Sequence, residues 1–414
     1  MKTRLFKITA IALCACLSFS ACKKDKGDDN TVIYNPEQSK VDIEQAGMEL
    51  SNELQEMKDG KAFNAILRLA NLNVKGGNEM KNYTLKATNV ESKLKGYDIP
   101  DEYAEAINEY SGLFIWNAAS EDFIQDETVQ YENKATYKFP FDGKGDNNCE
   151  ITAEVKFDDS YQNAPKELTT TLKIDGVECL NISFNAEYSN EYPTYVKEAF
   201  TIDNYSFESI FKRTNSSISE SAYFKHGSKT LLGCSGEAKG DFNDNNINRI
   251  IDAEGDLDND FYASILGKTE YSAQIMNLKM VASALPSDLL KIDEGDDDES
   301  EYTQEDMQKV ADEINKYIDC SIVNTSNNSK IADVKVFVEK EVYEYGTYEW
   351  DEDGNYQYIT KEGEDYDIIP KLVFADGSTM DFEDYVEKGF DNVKRSFENL
   401  FDDLVKVFEK YDLD

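Results

Sequence analysis

Residues 149–157 alternate with period two. Cys149, Ile151, Ala153, Val155 and Phe157 are apolar, while Glu150, Thr152, Glu154 and Lys156 are polar. Such a strand buries one face and wets the other, which is the pattern of an antiparallel sheet. From about Tyr83 the same period recurs, in 113–117, 129–139, 199–207, 218–224, 261–266 and 271–281. Short polar connections join these runs, with too few helices between them for a parallel sheet. The expected core is a long β-meander.

One hairpin can be read more finely. Leu168, Thr170, Leu172 and Ile174 share a face before Asp175-Gly176, and Leu180, Ile182, Phe184, Ala186 and Tyr188 share a face after it. A plain two-residue turn pairs Leu172 with Cys179 and sends the two apolar sets to opposite faces. A three-residue loop with Gly176 left-handed pairs Lys173 with Val177, and Thr170 then faces Leu180. The expectation is therefore a glycine-bulge hairpin.

Helices flank the sheet. Asn35 and Pro36 open one whose stripe is Ile43, Gly47, Leu50, Leu54 and Met57; Gly60 breaks it, and Phe63, Ile66, Leu67 and Ala70 follow. These read as a helical hairpin. A short helix is expected over 101–110. The acidic run 293–306 marks a boundary, and Thr303-Gln304-Glu305-Asp306 starts a helix with a cap and a negative first turn. Strands are expected at 334–350, 356–359 and 368–374, with Asp353-Gly354 as a turn. A long apolar stripe from Phe382 to Tyr411 demands a partner surface. The fold class expected is α+β: a large curved antiparallel β-meander packed against an N-terminal helical hairpin and a long C-terminal helix. The organisation expected is a leader at 1–21, a tether at 22–35, hairpin plus sheet at 36–292, an acidic linker at 293–302 and a C-terminal αβα region at 303–414.

Composition narrows the partners. The 414 residues hold 83 acids against 43 bases, a formal net charge of −40. Nucleic acid is excluded as a natural partner, because phosphate binding needs clustered Lys and Arg. Of seven cysteines, Cys149, Cys179, Cys234 and Cys320 lie in the body, without a CxxC pair. With His226 the sole histidine, a cluster needing two histidines is ruled out.

The first residues carry an address. Lys2, Arg4 and Lys7 precede an apolar run over 8–19 that is too short to span a bilayer. Phe19-Ser20-Ala21-Cys22 resembles a bacterial lipobox. The resemblance implies cleavage between Ala21 and Cys22 and a diacylglyceryl group on the Cys22 sulfur. Lys23-Lys24-Asp25-Lys26-Gly27-Asp28-Asp29 resembles the signal that sends lipoproteins of the Bacteroides group to the cell surface. The chain as a whole is similar in style to the large envelope lipoproteins of that group. Membrane attachment would thus run through the lipid on Cys22, with the protein at the outer membrane, facing the surface or the periplasm. Losing the leader moves the net charge to −43.

Candidate chemistry in the body is thin. Asp241, Asn243, Asn245 and Asp252 have the 1, 3, 5, 12 spacing of a calcium loop, but Asn246 replaces the turn glycine, and a plain polar loop is preferred. No other cofactor is expected. His226 beside Gly227 reads as a turn histidine rather than a catalytic base. Trp116, Trp350 and the tyrosines of 343–358 could stack on sugar rings, but a cross-strand aromatic ladder is preferred. The leading expectation is a non-enzymatic envelope lipoprotein that binds a ligand, carbohydrate or protein partner. The alternatives are an envelope glycan hydrolase using a carboxylate pair and a structural or assembly component.

Overall fold

The computed structural model describes residues 34–71, 111–158, 164–189, 192–252, 259–289, 303–350 and 356–386. The protein is α+β, mostly strand with a few helices. The helix expected at 101–110, the acidic linker and the C-terminal stripe beyond Val386 lie outside the described residues. The chain forms two compact bodies.

The first body holds residues 44–234 and 274–276. Most of helix α1 (Pro36–Lys58) belongs to it, followed by α2 (Lys61–Asn71). The Asn35 side chain accepts from the Gln38 backbone N–H at 3.0 Å, capping α1 as expected. Leu50, Leu54 and Met57 of its stripe are buried. The N-terminus of α2 is capped from a distance, since Asp203 Oδ2 accepts from the Ala62 N–H at 3.3 Å.

The strands of this body run β1 (Gly112–Asn117), β2 (Asp122–Gln125), β3 (Lys134–Phe139), β4 (Cys149–Asp158), β5 (Ala164–Ile174), β6 (Val177–Ser189), β7 (Tyr192–Ile202), β8 (Tyr205–Arg213), β9 (Ser217–His226) and the first half of β10 (Lys229–Gly240). Their order is β2-β1-β3 and then consecutive to β10. The sheet is mixed, because β3 runs parallel to β1 while β2 folds back along the other side of β1. From β3 to β9 every pair is antiparallel. The run expected from Val129 starts only at Lys134, after Asn133 at positive φ.

One transverse row shows how the core forms. Phe114, Tyr137, Ile151, Leu172, Leu180, Ile202 and Tyr205 face one another strand by strand, and all are buried. Each such side chain is worth roughly 1.5–3 kcal/mol on burial. The row ends on β9 at His226, opposite Tyr205.

The β5–β6 hairpin corrects the expected turn. Ile174 pairs with Val177, so the loop is the two residues Asp175 (φ 52°) and Gly176 (φ 78°), a type I′ turn. The bulge sits on the other arm: Lys173 pairs with Glu178, but Leu172 pairs with Leu180, leaving Cys179 as the extra residue. Thr170 then faces Ile182 and Leu168 faces Phe184. The two apolar sets do share a face, as burial requires. A one-residue slip at Cys179 restores the agreement while Asp-Gly keeps its preferred tight turn.

The second body holds 34–43, 235–273 and 277–386 among the described residues. After the second half of β10 come α3 (Asp244–Asp252), α4 (Asn259–Ile265), β11 (Leu266–Ile275), β12 (Leu278–Ala284), α5 (Pro286–Leu289), α6 (Gln304–Tyr317), β13 (Ile318–Asn324), β14 (Ser329–Trp350), β15 (Tyr356–Phe374) and β16 (Thr379–Asp381). Here β11 to β16 are consecutive neighbours. The strand expected at 261–266 is instead helix α4. Phe261 and Ile265 are both buried, and their i, i+4 spacing suits a helix face as well as the composition suits a strand. The run expected at 271–281 turns at Met276 (φ 53°) and divides into β11 and β12. The capping box on α6 forms, with Thr303 Oγ1 accepting from the Asp306 N–H and Asp306 accepting from the Thr303 N–H.

Candidate functional site

Two places stand apart from packing. The first is at the end of the buried row. His226 is the last residue of β9, and its ring stacks on Tyr205 with centroids 4.2 Å apart and 20° between planes. Its Nδ1 is 2.7 Å from Oε2 of Glu53 on α1. The Tyr205 hydroxyl donates to the same oxygen at 3.3 Å. Lys229, just past the Gly227-Ser228 turn, donates to Glu53 Oε1 at 3.2 Å and to Glu49 Oε2 at 3.4 Å. Burial pushes the Glu53 carboxyl up, but the hydrogen bonds to His226 and Lys229 outweigh it and hold it below its usual value. Burial, with the charges of Glu56 and Glu53, pushes the Tyr205 hydroxyl up, so it stays a donor.

Glu56, one turn along α1, completes the group. Ligand atoms of Glu53, Glu56 and His226 all lie within 4.8 Å of one another. His226 is therefore held by a helix and a stacked ring, and is no loose turn residue. The sequence gives no sign of Glu53, Glu56 or Lys229 as partners, because 83 acids offer no basis for choice. The sole histidine was the one usable pointer.

The second place is the outer part of the β14–β15 hairpin. β13 pairs with β14 only over Ser329–Asp333, and β16 pairs with β15 only over Lys371–Val373. At the root, α6 covers the open edge: the Asn315 side chain accepts from the Val336 N–H at 2.9 Å and donates to the Val336 carbonyl at 2.8 Å. From Val338↔Ile368 to Trp350↔Tyr356 the two strands pair only with each other among the described residues. This ribbon is about 40 Å long at roughly 3.3 Å per residue.

The ribbon exposes tyrosines on both faces. Tyr348 stacks on Tyr356 at 5.3 Å and meets Tyr358 edge-on at 5.1 Å. Tyr343 and Tyr345 occupy the other face. Glycines make room for them: a methyl at Gly363 would sit 2.7 Å from the Tyr343 ring, and Tyr358 lies across Gly346. The expected aromatic ladder is thus present, yet Tyr348, Tyr356 and Tyr358 remain 58–61 % exposed. Around them stand eight carboxylates (Glu339, Glu341, Glu344, Glu349, Glu362, Glu364, Asp365 and Asp367) and two lysines, Lys340 and Lys361. Lys340 pairs with Glu364 at 2.6 Å and Lys361 with Glu349.

The remaining candidates fall elsewhere. Ala21 and Cys22 lie outside the described residues. Asp241 and Asn243 form the entry to α3: Asn243 Oδ1 accepts from the Asn246 N–H at 3.1 Å, and Asn243 Nδ2 donates to Asp241 Oδ1 at 2.8 Å. Asn245 and Asp252 lie within α3, which Asn243 caps. Trp116 is buried edge-on against Phe123. Cys149, Cys179, Cys234 and Cys320 are free thiols. Burial pushes the Cys149 thiol up to about 12 and that of Cys179 to about 11.

Comparison with protein-family models, with curated proteins and with solved structures found no match for this chain in any of the three.

Proposed function

We propose that this protein is a non-enzymatic envelope lipoprotein, tethered through a lipid on Cys22, that binds a protein partner with a cationic surface. One observation carries the binding reading: a two-stranded ribbon that leaves its sheet and displays tyrosines among eight carboxylates and two lysines. Tyrosine supplies large contact area at small entropic cost, and carboxylates select a basic partner and steer it inward. The unpaired strand edges add backbone donors and acceptors. The finer fold expectation is proposed with it: a large curved antiparallel meander packed against an N-terminal helical hairpin and a long C-terminal helix.

The hydrolase alternative needs a carboxylic acid held protonated beside a carboxylate. Glu53 and Glu56 are a close pair, and hydrogen bonds to His226 and Lys229 hold the Glu53 carboxyl below its usual value, so it could serve only as the carboxylate of such a pair.

The test is an array of extended Lys- and Arg-rich peptides and of glycans, probed with the full chain at physiological salt. Basic peptides should bind, and replacing Tyr348, Tyr356 and Tyr358 together with serine should abolish binding while the unfolding midpoint holds. Unchanged peptide binding by that variant, or binding of glycans instead, overturns the reading. In cells, Cys22→Ala should move the protein to the soluble envelope fraction; persistent membrane association overturns the tether.

A further inference from the structure

We infer that Glu53, Glu56 and His226 form a binding site for a divalent ion of the zinc type. The inference is independent of the ribbon. Three observations on the first body support it.

The donor set is one imidazole nitrogen and two carboxylates, a mixture that suits zinc and similar first-row ions and that calcium, which takes oxygen ligands, does not prefer. The donors come from two elements fixed in space: Glu53 and Glu56 are three residues apart on one face of α1, and His226 ends β9. Their ligand atoms lie within 4.8 Å of one another, so side-chain adjustments of up to about an ångström bring them to the roughly 3.4 Å spacing of donors around one tetrahedral ion.

The surroundings already orient the ligands. Tyr205 stacks on the imidazole and donates to Glu53 Oε2, fixing both the ring plane and the carboxylate. Such outer contacts orient metal ligands, and losing one typically costs about 10–100-fold in metal affinity. Lys229 occupies Glu53 Oε1 and leaves Oε2 facing the histidine. An ion entering at Nδ1 takes the place of the hydrogen now shared between Nδ1 and Oε2, and the ring then carries its hydrogen on Nε2.

The charge is also unbalanced. Lys229 is shared between Glu49 and Glu53, and Glu56 adds a further carboxylate beside Glu53. Glu56 makes no ion pair or hydrogen bond among the described residues, although its neighbours on α1 do. A divalent cation neutralises that excess, and the net charge of −40 raises the local concentration of cations. Three protein ligands leave a coordination position open to water or to another ligand.

The competing account is a clamp of hydrogen bonds that fastens α1 to the β9 end and takes no ion. Zinc titration calorimetry on the chelator-stripped full chain, in excess calcium to occupy ordinary acidic surface, separates the two. The expected result is one zinc ion per chain. His226→Gln should abolish binding, and Glu56→Gln should weaken it by at least about tenfold, the scale on which even outer-shell changes act. Glu56→Gln should leave the ion-free unfolding midpoint unchanged, since Glu56 is outside the clamp. Glu49→Gln removes the same charge one turn away and should leave the affinity within about twofold. Absence of zinc binding, or equal affinity in wild type, Glu56→Gln and His226→Gln, overturns the site.

Discussion

In the β5–β6 hairpin every second residue enters the core, and Leu172, Leu180 and Ile182 are at most 5 % exposed. In the outer β14–β15 hairpin residues on both faces meet water, and Tyr348, Tyr356 and Tyr358 are more than half exposed. Both regions are antiparallel, both alternate, and both use glycine near aromatic or tight positions. The difference is in their neighbours. β5 and β6 have strands on both sides, so their register is held by burial across a row. The outer ribbon has no neighbouring strand among the described residues, so its register rests on backbone bonds, cross-strand tyrosines and ion pairs. Alternation therefore sets a local geometry, and what lies beside the strand decides whether that geometry makes a core or a surface.

The comparison breaks most directly by truncation. Leu172→Ala should lower unfolding free energy by about 2–5 kcal/mol, as buried leucines do. Val342→Ala, at an exposed ribbon position, should change it by less than about 0.5 kcal/mol. Urea unfolding of the two variants measures both; similar losses would mean that the ribbon is packed as the sheet is.

Alkaline pH sharpens the same contrast. Burial raises the Cys149 thiol to about 12 and the Cys179 thiol to about 11, from 9.0 when free. The folded sheet thus holds these protons more tightly than the unfolded chain does. Their contribution to stability is complete below pH 9 and declines as pH rises from there toward 11 and 12. Cys149→Ala should lower stability at pH 8 yet lessen the decline between pH 9 and 11, as followed by the urea midpoint. An identical alkaline decline in the variant would place the titrating groups elsewhere.

The glycines give smaller effects than the buried leucine. Gly176 sits at φ 78° with open space around it, so Gly176→Ala should cost about 1–2 kcal/mol through the left-handed backbone alone. Gly363→Ala meets only the Tyr343 ring, an exposed side chain that can swing away, and should cost under about 1 kcal/mol. Its sign would be the loss of Tyr343 packing in tyrosine fluorescence rather than a shift of the midpoint. A larger loss at Gly363 than at Gly176 would reverse the ranking.

Particular residues show how far the pattern reaches. The capped, acidic start of α6 at Thr303 was legible because cap and first turn lie within four residues. The shared face of Leu168, Leu172, Leu180 and Ile182 was legible because burial demands it, while the device that achieves it, Cys179 as a bulge, was not. Either position of the extra residue satisfies the same periodicity. Phe261 and Ile265 fit both a strand and a helix, and their burial in α4 follows from packing.

The candidate metal site lies at the far end of that scale. His226 and Glu53 are 173 residues apart in the chain, and one carboxylate among 83 carries no mark of its partner. By itself the sequence determined what acts over a few residues: alternation, caps and charge. Tertiary structure alone decided which alternating strands became core, which stayed a free ribbon, and which carboxylates met the histidine. Contacts of that range depend on the stacking of the whole sheet in register, and no local period records it.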